Sequence, residues 1–297
     1  MFSVNLCHLI EVDDLSRYTS LKPTSDETGE IMTMYNVDQS QVYVNMQGKG
    51  EPLLFLHGVP DTSEVWDGAI ANFSDKYQCI APDLPGFGRT KSPRNFEYSL
   101  ENLANFVDQL LSSLSITDGV HMVIHDIGGI VGLAFAITHP DKVKSLTIMD
   151  TTFFSDYEWH ATAKIWRKPI LGELAMYLMG RKQFSAAMKK GAPILTDTQI
   201  QSNYDSLTWR NRRMILRFYR ALDPVIFKQW EGQLQAIAQR FPTQVIWGKK
   251  DTFLPAAHAK RFGTDNVHIL ENTGHWPMLE QAKEVHKLIG NNITLAE

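Results

Sequence analysis

Three residues with reactive side chains, Asp126, Asp251 and His275, each follow a short apolar stretch of the chain. A carboxylate can attack an electrophilic carbon and form a covalent ester. A histidine can remove a proton from water, and a second carboxylate can orient its imidazole ring and favour the protonated form. These residue types, in the chain order acid, acid, histidine, indicate hydrolysis through a covalent intermediate.

The sequence around Asp126 indicates a sharp turn between a strand and a helix. Mainly apolar residues at 120–124 precede it, apolar residues follow from 130, and Gly128 and Gly129 stand directly behind it. Such a turn lifts one side chain to the end of a sheet, and small residues allow the helix to pack closely. No G-x-S-x-G sequence occurs, so Asp126 takes the position usual for a nucleophilic serine. The alternative is that Asp126 only caps the following helix.

Strands and helices are predicted to alternate on both sides of a long helical segment. The predicted strands are residues 32–36, 41–46, 52–57, 78–81, the stretch before Asp126, 144–149, 243–247 and 267–270, and the predicted helices include 65–73, 100–114 and 277–289. This alternation is typical of a parallel sheet covered on both faces. Because the carboxyl ends of parallel strands meet at one edge, the residues after them are expected to lie together.

These elements predict an α/β protein with a mostly parallel, twisted sheet, helices on both faces, and a helical cap inserted after the sixth strand. Residues 32–151 and 241–297 are assigned to the core that contains the sheet, and residues 152–240 to the cap. The polar, aperiodic residues 1–31 are expected to form an N-terminal extension. Insertions of this kind commonly shape a substrate pocket.

Composition and charge exclude several classes of protein. The chain has 297 residues, of which 43% are hydrophobic and 21% charged, and a formal net charge of −4. No basic block indicates binding to nucleic acid or to a membrane. The two cysteines fit neither a disulfide framework nor a metal cluster, and residues 1–30 lack a signal-peptide pattern, so a cytoplasmic protein without a membrane span is expected. The ten histidines show no metal-binding spacing, and no metal or cofactor is predicted.

Five short motifs together resemble the α/β-hydrolase superfamily, in the branch that uses an aspartate nucleophile. The motifs are His57–Pro60, Asp83–Gly88, His125–Gly129, Trp247-Gly248 with Asp251, and Gly274–Trp276. The resemblance runs from about residue 32 to residue 290. This branch includes epoxide hydrolases, haloalkane dehalogenases and fluoroacetate dehalogenases. The resemblance therefore implies the α/β-hydrolase fold.

The resemblance also implies a role for each matched residue. Asp126 matches the nucleophile, His275 matches the base, and Asp251 matches the acid of the catalytic triad. The backbone N–H groups of Val59 and Ile127 match the oxyanion hole. In such enzymes the carboxylate forms an alkyl ester, and the histidine activates the water that hydrolyses it.

Asp150 is an alternative triad acid, because it also follows a predicted strand. Some members of the branch, fluoroacetate dehalogenases among them, take the acid from this position. Those proteins lack an acid after the later strand, whereas this chain has Asp251 there. Asp251 is therefore favoured, with Asp150 as the fallback.

Tyr219 is the predicted proton donor to the leaving group. The segment Arg217–Ala221 resembles the Tyr-Arg-Ala segment that carries one cap tyrosine in epoxide hydrolases, although Tyr219 could instead be a core residue of an amphipathic helix. Tyr157 and Tyr177 are candidates for a second donor. Haloalkane dehalogenases place a Trp directly after the nucleophile, where this chain has Ile127.

The predicted function is that of an epoxide hydrolase-like enzyme that uses water and a small, apolar, uncharged organic substrate. The first alternative is a haloalkane dehalogenase-like enzyme with Trp159 or Trp166 as a halide donor, and the second is a non-catalytic, ligand-binding member of the fold. Fluoroacetate dehalogenases hold a carboxylate with arginines behind the nucleophile, where this chain has Ile127 and Ile130. The oligomeric state stays open.

Overall fold

Nine strands form one sheet in the part of the chain that the computed structural model describes, residues 22–25 and 31–297. The strands are β1 (Lys22–Ser25), β2 (Ile31–Val37), β3 (Ser40–Gln47), β4 (Glu51–Leu56), β5 (Tyr77–Pro82), β6 (Val120–His125), β7 (Val143–Met149), β8 (Thr243–Gly248) and β9 (Val267–Leu270). Their order in the sheet is β1-β2-β3-β5-β4-β6-β7-β8-β9.

The sheet is antiparallel at one end and parallel elsewhere. β1, β2, β3 and β5 pair antiparallel in that order, while every pairing from β5 through β4, β6, β7 and β8 to β9 is parallel. All six residues of β6 and all six of β8 are buried. Strands covered on both faces explain the continuous apolar runs seen in the sequence. The predicted α/β class is confirmed.

Helices cover both faces of the sheet, and further helices stand between β7 and β8. Those against the sheet are α1 (Asp67–Phe73), α2 (Leu100–Ser113), α3 (Ile127–Thr138), α10 (Pro277–Glu280) and α11 (Ala282–Thr294); those between β7 and β8 are α4 (Ala161–Trp166), α5 (Leu171–Leu178), α6 (Arg181–Gly191), α7 (Asp197–Ser206), α8 (Trp209–Ala221) and α9 (Leu234–Arg240). Short 3₁₀ helices span Ser63–Trp66, Pro140–Lys142, Pro224–Gln229, Glu231–Gln233 and Ala256–Arg261. We call residues 152–240 the helical insertion.

The N-terminal region differs from the prediction, because it contributes a strand. β1 lies within residues 1–31, which were expected to form an extension, and pairs with β2 at the edge of the sheet. Its sequence, Lys-Pro-Thr-Ser, has no apolar alternation, and an edge strand tolerates proline because one side of its backbone stays unpaired. The helical insertion therefore follows the seventh described strand rather than the sixth. Residues 1–21 and 26–30 lie outside the described part of the chain.

The last predicted helix is divided in two. Residues 277–289 were expected to form one helix, but α10 ends at Glu280 and α11 begins at Ala282. Gln281 separates them with non-helical backbone angles, φ −133° and ψ 49°. Glu280 accepts hydrogen bonds from the backbone N–H groups of Gly274 and Trp276, at 3.0 and 3.3 Å. The short helix thereby binds the loop that carries His275.

Two glycines allow α3 to approach the sheet closely at the turn that carries Asp126. A Cβ atom on Gly128 would lie 2.4 Å from the carbonyl oxygen of Leu56 in β4. A Cβ atom on Gly129 would lie 2.1 Å from Oγ1 of Thr151, which follows β7. Neither contact can be relieved by rotating a flexible side chain, so only glycine fits at these positions.

Replacing Gly128 with alanine is therefore expected to lower the free energy of unfolding by about 1–3 kcal/mol, since α3 must move away from β4. Gly68→Ala is the matched control, because Gly68 lies in α1 and a Cβ there meets nothing within 4 Å. That change should alter stability by less than about 1 kcal/mol. Urea unfolding measures the free energy of unfolding of both variants. Equal values for the two would contradict the close packing of α3 against β4.

Candidate active site

Asp126 stands at the turn between β6 and α3 in a strained backbone conformation. Its φ is 48° and its ψ is −121°, a region that residues other than glycine rarely adopt. The turn is held by hydrogen bonds to the carbonyl oxygen of Asp126, from Oγ1 of Thr151 at 2.6 Å and from the backbone N–H of Gly129 at 2.9 Å. Strain of this kind is commonly found where a side chain must be presented for function.

Backbone N–H groups hold the Asp126 carboxylate. The N–H of Val59, in the loop after β4, donates to Oδ2 of Asp126 at 2.8 Å. Burial raises the pKa of Asp126 above its ordinary value, while the charge of His275 and the N–H groups of Val59 and Ile127 act in the opposite direction. The two N–H groups expected to form an oxyanion hole therefore both face this carboxylate.

His275 is hydrogen-bonded to Asp251. Nδ1 of His275 lies 2.8 Å from Oδ2 of Asp251, and the other carboxylate oxygen accepts from the backbone N–H groups of Phe253 and Leu254, at 2.7 and 3.1 Å. Burial alone would lower the pKa of His275, but the charge and hydrogen bond of Asp251, together with the charge of Asp126, raise it to about 9. The resting imidazole ring is thus protonated at neutral pH.

Asp150, the alternative triad acid, is placed differently. It is fully buried, has a φ of 33°, and accepts a hydrogen bond from the backbone N–H of Gly248 at 3.0 Å. One ligand atom each from Asp150, Asp251 and His275 lies within 4.8 Å of the others. Burial and then the charge of Asp251 raise the pKa of Asp150 well above its ordinary value, which favours the neutral form of Asp150. The imidazole hydrogen bond goes to Asp251.

A cavity of about 120 Å³ lies over Asp126 and His275. Its apolar wall comes mostly from the helical insertion, through Met176, Met179, Phe184, Met188, Leu207 and Ile215. The side chains with polar atoms that reach it from the insertion are Thr152, Tyr157, Trp159, His160, Thr162, Trp166 and Tyr219. This composition suits an uncharged, apolar ligand.

Two phenols share the cavity with the nucleophile candidate. Tyr157 and Tyr219 both line it, and burial followed by the negative charge of Asp126 raises the pKa of both above the ordinary value. Both phenols therefore stay protonated. The backbone carbonyl of Tyr219 accepts a hydrogen bond from Arg167, but its hydroxyl has no hydrogen-bond partner in the described part of the chain and is available to a ligand. Tyr177, the other candidate for a second donor, is 76% exposed and lies outside the cavity.

Trp159 and Trp166 also line the cavity and pack against Tyr219. Their rings lie 5.0 and 5.2 Å from the Tyr219 ring, centroid to centroid, in edge-to-face geometry. The indole Nε1 of Trp159 is buried and has no hydrogen-bond partner among the described residues. A buried donor without a partner is costly, and a ligand in the cavity could supply one.

Several residues of the site escaped sequence analysis. Asp61 is buried, accepts from Nε1 of Trp276 at 2.8 Å and from Nδ2 of Asn203 at 3.1 Å, and lies close enough to His275 to raise its pKa. Burial raises the pKa of Asp61 to about 6. The only available signal was its position two residues after Val59 in the same loop. Nε2 of His125 lies 2.7 Å from the carbonyl oxygen of His275 and fixes the backbone there.

A backbone hydrogen bond connects the helical insertion to the loop that carries His275. The N–H of His275 donates to the carbonyl oxygen of Gly191, the last residue of α6, at 3.3 Å. A Cβ atom on Gly191 would lie 2.6 Å from the Phe253 ring and 2.7 Å from the Trp276 ring. Glycine is thus required where α6 meets the loops that carry the ion pair.

The family profile described as alpha/beta hydrolase fold matches residues 51–282. The chain belongs to the α/β-hydrolase family. This α/β-hydrolase contains no helix, within the described residues, that is long and apolar enough to cross a membrane.

The relatives of this α/β-hydrolase are named for several different enzymatic activities. A cis-3-alkyl-4-alkyloxetan-2-one decarboxylase of Shewanella oneidensis is 26% identical over 281 residues, which cover 86% of this chain and 85% of that protein. Epoxide hydrolase 3 of Xenopus tropicalis is 28% identical over 273 residues, 83% of this chain and 72% of that protein. A crystal structure of an epoxide hydrolase from Bacillus megaterium aligns with a TM-score of 0.69 and 26% identity over 88% of this chain and 99% of that one. These similarities support an enzyme of the hydrolase class.

The ion pair of His275 predicts a pH-dependent part of the stability. The folded pKa of about 9 exceeds the unfolded value of about 6.5, so the contribution is complete below about pH 6.5 and is lost as the pH rises through 9. Relative to His275→Gln, the wild-type protein should lose about 1–3 kcal/mol of unfolding free energy across this range. Urea unfolding at a series of pH values measures it, and parallel curves for the two proteins would refute the raised pKa.

Proposed function

We propose that this protein is a hydrolase that uses Asp126 as its nucleophile and opens an uncharged, apolar epoxide through an alkyl-enzyme ester. The observation that carries the proposal is the Asp126 carboxylate, which is held at 2.8 Å by the N–H of Val59 and shares an apolar cavity with the phenols of Tyr157 and Tyr219. A serine at this turn would suit acyl transfer, whereas a carboxylate suits displacement at carbon.

In the first step, a carboxylate oxygen of Asp126 attacks an epoxide carbon, and the bond between that carbon and the ring oxygen breaks. The ring oxygen leaves as an alkoxide and takes a proton from Tyr219 or Tyr157, which forms the hydroxyl group of the ester intermediate. Burial keeps both phenols protonated until then. General-acid assistance of this kind typically contributes about 10²–10⁴ in rate.

Formation of the ester prepares His275 for the second step. The negative charge of Asp126 helps to hold the proton on His275, and the ester removes that charge. The pKa of His275 then falls, and its proton can pass to the phenolate or to solvent. The neutral imidazole, oriented by Asp251, is now the base that the next step requires.

In the second step, His275 deprotonates a water molecule that attacks the carbonyl carbon of the ester. The N–H groups of Val59 and Ile127 stabilise the resulting oxyanion, an effect that typically amounts to about 3 kcal/mol for one donor. Collapse of this intermediate releases the diol and restores the Asp126 carboxylate. Asp251, rather than Asp150, accepts the hydrogen bond of the imidazole ring.

The site has a second candidate substrate, a haloalkane, and Trp159 is the observation that favours it. Its buried Nε1 has no partner among the described residues and lines the cavity, so it could donate to a leaving halide. Ile127 provides no such donor directly after the nucleophile. One buried indole N–H without a partner, that of Trp159, stands beside two phenols in the cavity, which makes the epoxide the better-supported substrate.

Trapping the ester tests the nucleophile. We expect His275→Gln, incubated separately with epoxides, haloalkanes and a cis-3,4-dialkyloxetan-2-one, to accumulate a covalent adduct that intact-protein and peptide mass spectrometry locate at Asp126. The oxetanone is included because a relative is named for that substrate. A whole-epoxide mass indicates ring opening, and an alkyl mass without halogen indicates halide release. Asp126→Asn in the same background is the control and should stay unmodified. Adduct formation at another residue would rule out the proposed nucleophile.

Removing the phenols tests the proton donors. The double variant Tyr157→Phe, Tyr219→Phe should open epoxides about 10²–10⁴ times more slowly, because the alkoxide then leaves without a proton. Tyr177→Phe is the matched control, since this phenol is exposed outside the cavity. Single-turnover measurement of adduct formation reports the step directly. Unchanged epoxide opening in the double variant would remove the phenols from the mechanism.

The halide alternative has its own test. Trp159→Phe should reduce halide release from chloroalkanes and bromoalkanes by about tenfold or more if Nε1 stabilises the leaving halide, since one hydrogen bond to a charged group contributes about 1.5–3 kcal/mol. Epoxide opening by the same variant is the internal control and should change less. No halide release from wild-type protein across the panel would leave the epoxide as the remaining candidate.

A further inference from the structure

The outer face of the helical insertion carries a concentrated apolar surface. Eleven large apolar side chains are exposed in the described part of the chain, and five of them fall within residues 170–178. We call these five the apolar ridge: Ile170, Leu171, Leu174, Tyr177 and Leu178, which are between 50% and 80% exposed. A monomeric globular protein rarely exposes a contiguous apolar surface that has no binding role.

The helix α5 has two different faces. Leu171, Leu174 and Leu178 are spaced by three and four residues, so they lie on one side of the helix and form much of the ridge. Gly172 and Met176 are buried on the other side, and Met176 lines the cavity over Asp126. The same short helix is therefore both a wall of the cavity and an exposed apolar face.

Ile170 is strained as well as exposed. It precedes α5 with a φ of 69°, which is a true outlier for a β-branched residue, and 80% of its surface is exposed. Packing around the side chain does not account for this conformation, because so little of it is buried. Strained residues that persist at a surface commonly mark binding segments.

Cations flank the ridge on both ends of α5. Lys168 precedes it, Arg181 and Lys182 follow it, and all three are exposed with no ion pair to a described residue. The acid within α5, Glu173, is already paired with Arg220 at 2.7 Å. The local charge is thus positive although the whole chain has a net charge of −4.

A cleft with four arginines continues from the ridge. The Tyr177 ring meets the Trp209 ring edge-to-face at 6.4 Å, and Trp209 lines a cleft of about 450 Å³ together with Ser92, Arg94, Arg210, Arg213, Met214 and Arg217. We call it the arginine cleft. None of its arginines forms an ion pair with a described residue, although Arg210 donates to the carbonyl oxygen of Ser92, and Arg217 donates to the carbonyl oxygens of Arg94 and Phe96. Guanidinium groups favour phosphate through paired N–H donors.

We propose that the apolar ridge and the arginine cleft form one surface that docks on an anionic lipid bilayer. The ridge enters the boundary between headgroups and acyl chains, and the arginine cleft receives the phosphate of a lipid headgroup. Apolar side chains beside cations are the combination that binds peripheral helices to anionic membranes. The inference stands on surface features alone and does not depend on the reaction proposed for Asp126.

Charge complementarity favours a bilayer over a second copy of the chain. In a twofold dimer the same surface is present on both subunits, so this face would bring its cations close to those of the other copy. Lys168, Arg181 and Lys182 would then repel their equivalents around the buried ridge. Anionic headgroups satisfy the same cations and accept the apolar side chains.

Sedimentation with vesicles tests the proposal on the full-length protein. We expect wild-type protein to sediment with phosphatidylcholine vesicles that contain about one-third phosphatidylglycerol, and to remain in solution with pure phosphatidylcholine. Leu174→Glu, Leu178→Glu should lower the partition coefficient at least about tenfold, because each change removes apolar area and adds a repelled charge. Arg213→Glu should lower it at least about fivefold, since one cation near the surface contributes about that factor.

Val225→Glu is the matched control, because Val225 is also exposed, at 63%, in the helical insertion but lies outside the ridge and the cleft. It should bind vesicles as the wild type does. The melting temperature of every variant should stay close to that of the wild type, because the substituted side chains are exposed. A loss of vesicle binding would then not be caused by a loss of folding.

Three results would overturn the proposal. The first is that wild-type protein does not sediment with anionic vesicles, or sediments equally with both vesicle types. The second is full displacement from vesicles by inorganic phosphate at low millimolar concentration, which would make the cleft a site for free anions. The third is a dimer, measured by analytical ultracentrifugation without lipid, that Leu174→Glu, Leu178→Glu dissociates, since the ridge would then be occupied by a second copy.

Discussion

A single buried imidazolium, that of His275, lies at the centre of the charged groups in the cavity of this α/β-hydrolase. Asp251 binds it directly, and Asp126 and Asp61 lie close enough to raise its pKa further. Three carboxylates from three different loops thus surround one cation, and each would be costly to bury alone. The parallel sheet makes this possible, because β4, β6, β8 and β9 end at the same edge and deliver the four residues to one place.

The sequence alone predicts those parts of the structure that follow from local patterns of apolar and polar residues. The alternation of strands and helices predicts the sheet, and the positions of Asp126, Asp251 and His275 after their strands predict that they meet. β1 was missed because its residues carry no apolar pattern, and its strand character comes from pairing with β2. The division of the last helix at Gln281 was missed because it follows from bonds between Glu280 and the loop of His275.

Residues brought in by the helical insertion were harder to predict. Tyr157 and Tyr177 had equal support in the sequence, and only the packing of the insertion places one in the cavity and the other on the surface. The arginine cleft shows the same limit. Three of its four arginines lie in α8 and the fourth, Arg94, is distant in sequence. The sequence does not separate the arginines of the cleft from Arg212 of the same helix, which is buried and donates to the carbonyl oxygens of Leu207 and Met176.

The contacts of the helical insertion divide it into two parts. Substitutions in one part would displace the loops that carry His275 and Asp61, whereas substitutions in the other part would not. The carbonyl of Gly191 accepts a hydrogen bond from the backbone of His275, and Asn203 donates to Asp61, so α6 and α7 are bonded to the loops that carry these two residues. The segment of α4 and α5 packs instead on α8, within the insertion. Substitutions there can reshape the cavity wall without moving the charged residues, so evolution toward new substrates has an open route through α4 and α5.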